Sequence, residues 1–496
     1  MKRALLAAGF MAGCTVGPDY RKPDMPTPPS YEALPKSAAD APLSVPVAQG
    51  TDLSQWWKTF HDAKLESLVQ RALAGNPDLL TALSRVREAR EQEIVAGAAG
   101  LPQINATASA VRFHSGSSIV QKLGGGMSSG ASAGGGTDIS LYSAGFDATW
   151  EADIFGGVRR SVEAAQAGTE AARWQLRDGE VTLTAEIAAD YVMLRADQVR
   201  LAILAAQEES QRGMLDLVSA RARAGFVTQL DVNQQRQLVE STVAQRPPLV
   251  AETVVLRHAI AVLLGQQPGA LDAELAADSP VPPVPPSLPV GLPSDLLRAR
   301  PDIRAAERKL AQATAQVGVA VADLYPKFDL LGAISFSGNH LGSLFSGNNL
   351  GEAGIGSIMW PLFHGGQIHA NIRAKEEEEK QAYYAYQKAV LGGIQNAEDS
   401  LIRYQTEQQR FVSLQDSAKS AEGSTMLAEA QYRAGLVTYA NLLQAQFTQQ
   451  TAEDELEQSR AALTADLVSL YKALGGGWRT GEPVEARQDG SLIFRQ

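Results

Sequence analysis

The sequence predicts a mostly α-helical fold carrying four β-strands, laid down as two tandem copies of one unit. Three observations predict it. Val158 to Ala224 and Ile368 to Ala434 contain no proline, and helices of that length belong to coiled coils or helical tubes rather than compact domains. Short segments ahead of each alternate apolar and polar side chains. The same residue blocks recur at fixed distances.

The duplication is read from matched blocks. Asn76-Pro77-Asp78-Leu79 opens a helical segment closed by Pro102, and Arg300-Pro301-Asp302-Ile303 opens another closed by Pro326, both 224 positions on. Arg223-Ala224-Gly225-Phe226-Val227-Thr228 returns 210 positions on as Arg433-Ala434-Gly435-Leu436-Val437-Thr438, and Trp150 and Trp360 are also 210 apart. The offset shrinks by 14 between Pro102 and Trp150, where only the first copy carries the Gly-Ser tract Gly124 to Gly136. A length change confined to one Gly-rich tract is what a surface loop tolerates. Each repeat reads helix, two short strands with a loop, long helix, glycine turn, helix. The expected divisions are a leader at 1–13, an extended N-terminal segment at 14–60, repeats at 61–278 and 298–475, a linker at 279–297 and a tail at 476–496. Pro280 to Pro293 makes that linker proline-dense, extended and irregular.

In the strands expected at about 103–113 and 139–152, Tyr142, Ala144, Phe146, Ala148 and Trp150 point one way, and Ser143, Gly145, Asp147, Thr149 and Glu151 the other. Gln103 to Ala110 alternates more weakly. In the second pair, at about 327–337 and 352–361, Phe328, Leu330, Gly332, Ile334 and Phe336 form a similar face. Such a pattern suits an ordinary sheet with one wet face. It also suits a membrane barrel with an apolar outside, a polar lumen and aromatics such as Trp150 and Trp360 at the interfaces. Four strands cannot close a barrel. If they span a membrane, several copies must share one, because open edges would be unpaired in lipid.

In the first long helix Ile187, Leu194 and Leu201 recur at seven, with Leu183, Tyr191 and Leu204 beside them; Leu401, Phe411 and Leu414 mark the stripe of the second. Glu376 to Glu379 reads as a solvated face. Arg223-Ala224-Gly225 and Arg433-Ala434-Gly435 carry a helix C-cap signature, and Thr228 and Thr438 stand where they can cap the next helix. Each half thus folds back as a long helical hairpin.

The 496 residues are 45% hydrophobic and 20% charged, with formal net charge -11. An acidic chain without a basic cluster is a poor nucleic-acid binder. No window is apolar enough for a membrane helix, so a membrane crossing requires a closed β-barrel. The single cysteine, Cys14, excludes an internal disulfide. Lys2, Arg3 and apolar Ala4 to Ala12 lead to Met11-Ala12-Gly13-Cys14, which resembles a bacterial lipobox, cut before a cysteine that then carries diacylglycerol. The alternative is an incidental free thiol. Loss of Lys2 and Arg3 with the leader would take the net charge from -11 to -13. Thr15, where lipoproteins retained in the inner membrane usually have Asp, implies outer-membrane sorting.

Cys14-Thr15-Val16-Gly17-Pro18-Asp19-Tyr20 with Pro23 resembles the mature N-terminus of outer-membrane factors that serve resistance-nodulation-division pumps, the OprM/NodT-like lipoproteins of the TolC type. Trp56-Trp57, Phe60 and Asn76-Pro77-Asp78-Leu79 fit the next block of that family. Leu292-Pro293-Ser294-Asp295-Leu296-Leu297, Arg300-Pro301-Asp302-Ile303, Ala306-Glu307, Pro326, Asp153-Ile154-Phe155-Gly156 and Trp360-Pro361-Leu362-Phe363 with Gly365-Gly366 complete the likeness, which runs from residue 14 to about 475.

The resemblance implies a homotrimer whose shared twelve-strand outer-membrane barrel, four strands per chain, continues into a periplasmic α-helical barrel with a small mixed equatorial region. It implies an N-acyl diacylglycerol on Cys14 as the only attached group. Tips at Gly225, Phe226, Val227, Thr228, Gly435, Leu436, Val437 and Thr438 would face a periplasmic membrane-fusion adaptor, which links the duct to the energised inner-membrane pump. The family closes its tip with acidic side chains. The matching positions here are neutral Asn441 and Gln444, with small Ala440 where relatives carry a larger apolar residue. Asp231 matches an acid used in tip contacts, or is an ordinary polar helix position. The neutral residues imply a weaker electrostatic filter.

The histidines, His61, His114, His258, His340, His364 and His369, are scattered, and no nucleophile-elbow, zinc-protease or phosphate-loop pattern occurs. The resemblance, with no catalytic pattern beside it, implies a passive duct exporting drugs, toxic organics or metal ions, and not an enzyme. A protein-secretion duct and a surface-anchored coiled-coil lipoprotein are the alternatives.

Overall fold

The computed structural model describes residues 15–34, 42–47, 52–115 and 137–478. The leader at 1–13, Cys14, the Gly-Ser tract and residues 479–496 of the tail lie outside the described residues. The order is β1 (Val45–Val47), a 3-10 turn (Trp56–Phe60), α1 (Ala63–Gly75), α2 (Pro77–Ala98), β2 (Gln103–Ser115), β3 (Thr137–Glu151), α3 (Gly157–Arg223), α4 (Gln229–Leu263), β4 (Ser287–Pro289), α5 (Leu296–Ala299), α6 (Pro301–Ala322), β5 (Lys327–Gly338), β6 (Leu350–Met359), α7 (Gln367–Arg433) and α8 (Tyr439–Ala473). The two long helices, α3 and α7, have 67 residues each, and α4 and α8 have 35 each. The duplication is thus one of element lengths as well as sequence. The chain divides into two compact units, one of residues 1–22, 88–169 and 308–383, the other of 23–87, 170–307 and 384–496.

The first unit holds an antiparallel sheet in the order β2-β3-β5-β6. Its two hairpins share one register: Gln103 faces Thr149, and Lys327 faces Met359. Those partners are separated by the repeat's own offsets, 224 and 210 residues. One face carries Phe146 beside Ile334, and Trp150 beside Leu330, and Phe146, Ile334 and Leu330 are exposed. The opposite face is polar across β2 and β3. There the Asn105 amide donates to Asp147 at 3.1 Å, and the Ser109 and Ser143 hydroxyls are 2.8 Å apart.

At the foot of the sheet each repeat has the same tie. The Trp150 indole N–H donates to the Gly100 carbonyl at 3.0 Å, and that of Trp360 to the Leu324 carbonyl at 3.1 Å. Phe155 stacks on Tyr325 at 4.6 Å. The chain after Cys14 is fixed beside this joint. The Val16 N–H donates to the Phe155 carbonyl at 3.1 Å, and the buried Arg160 guanidinium donates to the Val16 carbonyl at 3.1 Å and to Asp19 at 2.6 Å. Of the acid run 376–379, Glu377 and Glu378 pair with Lys380 and Lys375, while Glu379 accepts from Thr314 at 2.7 Å.

In the second unit Trp56, Trp57 and Phe60 are buried, with Trp56 stacked on Tyr471 at 5.0 Å. Asp62 caps α1, accepting from the Lys64 and Leu65 N–H groups, and its other oxygen accepts from the Tyr191 hydroxyl at 2.8 Å. The expected stripes hold in part: Leu183, Ile187, Tyr191, Leu194 and Leu204 on α3 and Leu401 and Phe411 on α7 are buried, while Leu201 and Leu414 are half-buried. The linker is more ordered than its prolines suggest. Leu288 is fully buried, and β4 pairs in parallel with β1. Two carbonyls ahead of it are also tied down: Gln198 donates to that of Leu275, and Arg195 to that of Ala277, each at 2.7 Å.

Two stability measurements follow from this unit. Tyr191→Phe should cost about 1 kcal/mol in denaturant unfolding, the net value of one hydrogen bond. Asp62→Ala should cost more, about 2–3 kcal/mol, because it removes the helix cap and strands the tyrosine hydroxyl. Equal losses would refute the shared role of Asp62. The second measurement is a pH profile. Burial, then Glu186, pushes the Asp190 carboxyl up to about 6, and burial, then Glu407, pushes Asp466 up to about 6 against the pull of Arg403. A carboxyl raised in the folded state holds its proton there and not in the unfolded chain, so stability falls as pH climbs from the ordinary carboxylate value through about 6. The double variant Asp190→Asn, Asp466→Asn should be more stable than the parent at about pH 7.5 and should flatten that slope.

Candidate functional site

The residues marked for partner contact sit at two helical hairpin ends in the second unit, and the two ends are built alike. Gly225 and Gly435 adopt left-handed φ of 77° and 75°, a conformation that favours glycine. The Gly225 N–H donates to the Ala222 carbonyl at 3.0 Å and the Phe226 N–H to the Arg221 carbonyl at 2.9 Å. Gly435 and Leu436 repeat the pattern on Tyr432 and Gln431 at 3.0 and 2.9 Å. This paired closure satisfies the last helical carbonyls and turns the chain back at once. It leaves Phe226 and Leu436, one residue past each glycine, projecting into solvent, while Val227 and Val437 tuck against the core beneath.

That core joins the two ends. Met214, Val218 and Val232 of the first pack with Tyr432, Tyr439 and Leu442 of the second. The Arg221 guanidinium lies 4.8 Å over the Tyr432 ring and donates to the Tyr432 and Arg433 carbonyls at 3.2 and 3.0 Å. Gln235 is fully buried; it donates to the Gln211 carbonyl at 2.8 Å and accepts from the Tyr439 hydroxyl. Burial first, then the Tyr432 and Asp231 groups, raises the Tyr439 phenol well above its ordinary value, so it stays a neutral donor. The two tips therefore form one body. Gln235 and Tyr439 escape sequence reasoning because a buried polar pair has no periodic signature.

The predicted constriction residues separate into two kinds. Asp231 is spent on structure: its carboxylate accepts from the Thr228 N–H at 2.8 Å and the Thr228 hydroxyl at 2.9 Å in a reciprocal capping box. Thr438 disappoints the expectation that it caps in the same way. It stands at the N-cap of α8 but its side chain makes no capping bond. The reason lies three residues on, where Asn441 replaces the acid and its N–H bonds the Thr438 carbonyl at 3.2 Å instead. Ala440, Asn441 and Gln444 are exposed, and the Gln444 amide donates to Thr448 of its own helix at 3.4 Å. Among the described residues no group of three or more His, Cys, Asp or Glu could hold a metal ion.

Comparison with known proteins bears on both the hairpins and the sheet. The sequence profile of the outer membrane efflux protein family matches residues 68–266 and 292–476. The pyoverdine export outer membrane protein OpmQ of Pseudomonas aeruginosa is 33% identical over 446 residues, spanning 89% of this chain and 91% of that protein. Nodulation protein T of Rhizobium leguminosarum bv. trifolii is 30% identical over 474 residues, spanning 95% and 96%. Among solved structures, the outer-membrane channel OprN superposes with a TM-score of 0.84 at 34% identity, covering 94% of this chain and 100% of its own. The match spans both repeats and lies well beyond what fold likeness alone would give: the chain belongs to the outer membrane efflux protein family, the TolC-type channels.

Proposed function

We propose that three copies of this chain close one twelve-strand barrel in the outer membrane and form the passive exit duct of a tripartite efflux pump. The observation that carries this is the sheet: among the described residues its apolar face is uncovered and both of its edge strands, β2 and β6, are open. In this reading Cys14 carries an N-acyl diacylglycerol that anchors the chain in outer-membrane lipid. The tips from Gly225 to Thr228 and Gly435 to Thr438 dock a periplasmic membrane-fusion adaptor, with Phe226 and Leu436 as its apolar contacts. A resistance-nodulation-division pump in the inner membrane supplies the energy, so the duct itself needs no catalytic group. The cargo is of the small-molecule class, which the names of relatives for pyoverdine export and toluene efflux support.

The reading is tested by single-channel recording of the purified protein in planar bilayers. Steady pores support the duct; a protein that never conducts, with or without adaptor, contradicts it. The same recording tests the tip. Asn441→Asp should give α8 the capping box it lacks, worth about 1 kcal/mol. It should also add one acid per copy at the constriction, shifting the reversal potential in a salt gradient toward cation preference. An unchanged reversal potential would place Asn441 away from the ion path.

A further inference from the structure

The turn that follows β6 brings together two histidines that a helix would keep apart. At about 100° per residue, positions five apart on a helix stand on different faces. His364 lies ahead of α7, however, and the chain bends sharply before His369. Gly365 and Gly366 adopt left-handed φ of 60° and 83°, and the Gln367 N–H donates to the His364 carbonyl at 3.1 Å. The two imidazole rings end up parallel, with 3° between their planes and centroids 6.0 Å apart. Leu362 and Phe363 of the same turn are 77% and 93% exposed. The ring of His364 behaves differently. Both of its nitrogens are withdrawn from solvent, and neither has a hydrogen-bond partner among the described residues. A neutral imidazole carries one donor and one acceptor, and a buried polar atom left unpaired costs free energy. His369 is exposed, so the pair is reached from its side.

We propose that His364 and His369 together hold one late divalent transition-metal ion, Cu²⁺ most tightly, at a two-imidazole site in each chain. An imidazole nitrogen binds such an ion at about 2.0–2.1 Å, so two rings that share one ion have centroids within about 6.5 Å of each other. The observed spacing meets that limit. The torsion that orients a histidine ring is soft, so the exposed His369 ring can swing its nitrogen onto an ion bound by His364. Imidazole selects Cu²⁺, Ni²⁺ and Zn²⁺, with Cu²⁺ ahead in the usual order of affinities. Mg²⁺ and Ca²⁺ need oxygen ligands, which this pair does not offer. A Cβ built on Gly365 or Gly366 would meet nothing within 4 Å, so water has room to complete the coordination shell. The ion gives one orphaned nitrogen of His364 its partner and ties the turn after β6 to the start of α7. Both ligands come from one chain, so the site does not rest on the shared barrel.

The test is titration of the full chain, purified in detergent through a tag that contains no histidine, with Cu²⁺ up to one equivalent per chain. The parent should take up one ion per chain, and its electron paramagnetic resonance spectrum should show splitting from two nitrogens. Excess Mg²⁺ or Ca²⁺ should not displace the ion. His364→Gln and His369→Gln should each abolish this uptake and the two-nitrogen spectrum. The double variant His258→Gln, His340→Gln should keep both. A parent that takes up no Cu²⁺ at one equivalent overturns the site and leaves the His364 nitrogens to water. A spectrum with a single nitrogen, or equal uptake by the parent and both single variants, overturns it as well, because the ion then sits elsewhere. The spectrum of the parent needs no variant, so it decides the matter even where a substitution disturbs folding. None of these outcomes bears on the duct, which is tested by its conductance.

Discussion

A strand edge in hydrocarbon leaves a row of N–H and C=O groups with no water to bond, each at a cost of several kcal/mol, and no helix among the described residues is long and apolar enough to take the strands' place across a membrane. That constraint organises everything else in the first unit. Four strands carry Phe146, Leu330 and Ile334 on an uncovered face and cannot close on themselves. The chain alone is an incomplete object, and its quaternary structure is dictated by the two edges it leaves open.

The helices answer a different demand. A duct wall is one layer thick, so its helices cannot bury a wide apolar face as in a compact core. The buried positions on α3 and α7 are accordingly many small residues, among them Ala164, Ala167, Ala171, Ala188, Ala397, Ala418 and Ala421, interspersed with a few tyrosines and leucines. Small side chains let helices approach closely while the remaining surface stays polar. The tips resolve the end of such a wall. A paired glycine closure reverses the chain in a short turn, and Gln235, Tyr439 and Arg221 lock one hairpin to the other, so that an apolar residue stands clear of each turn.

Much of this was legible in the sequence, because repetition writes the same physical problem twice. The two Arg-Ala-Gly turns and the Trp150 and Trp360 ties were visible as matched positions, and the alternation of Tyr142 to Trp150 gave the exposed face. Three features were not. The strand β1 pairs with β4 across 242 residues, and neither three-residue segment carries a pattern of its own. Helix α4 runs through Pro247 and Pro248, which ordinarily end a helix; both are exposed, so water can bond the carbonyls they leave without donors. The asymmetry of the caps turned on one atom type, since Asp231 closes a box with Thr228 that neutral Asn441 does not close with Thr438. Threonine alone was a sound signal for the N-cap position but not for the bond.

In the closed barrel one face of the sheet meets lipid and the other meets water. The most direct test places a nitroxide label in turn at Ser143, Ala144, Gly145, Phe146, Asp147 and Ala148 in the protein reconstituted in vesicles, and measures its exposure to dissolved oxygen and to a water-soluble nickel chelate. A barrel strand should give strict alternation, with oxygen favoured at Ala144, Phe146 and Ala148 and the chelate favoured at Ser143, Gly145 and Asp147. Access of the chelate to all six positions would contradict it, because the sheet would then be an ordinary one with water on both faces.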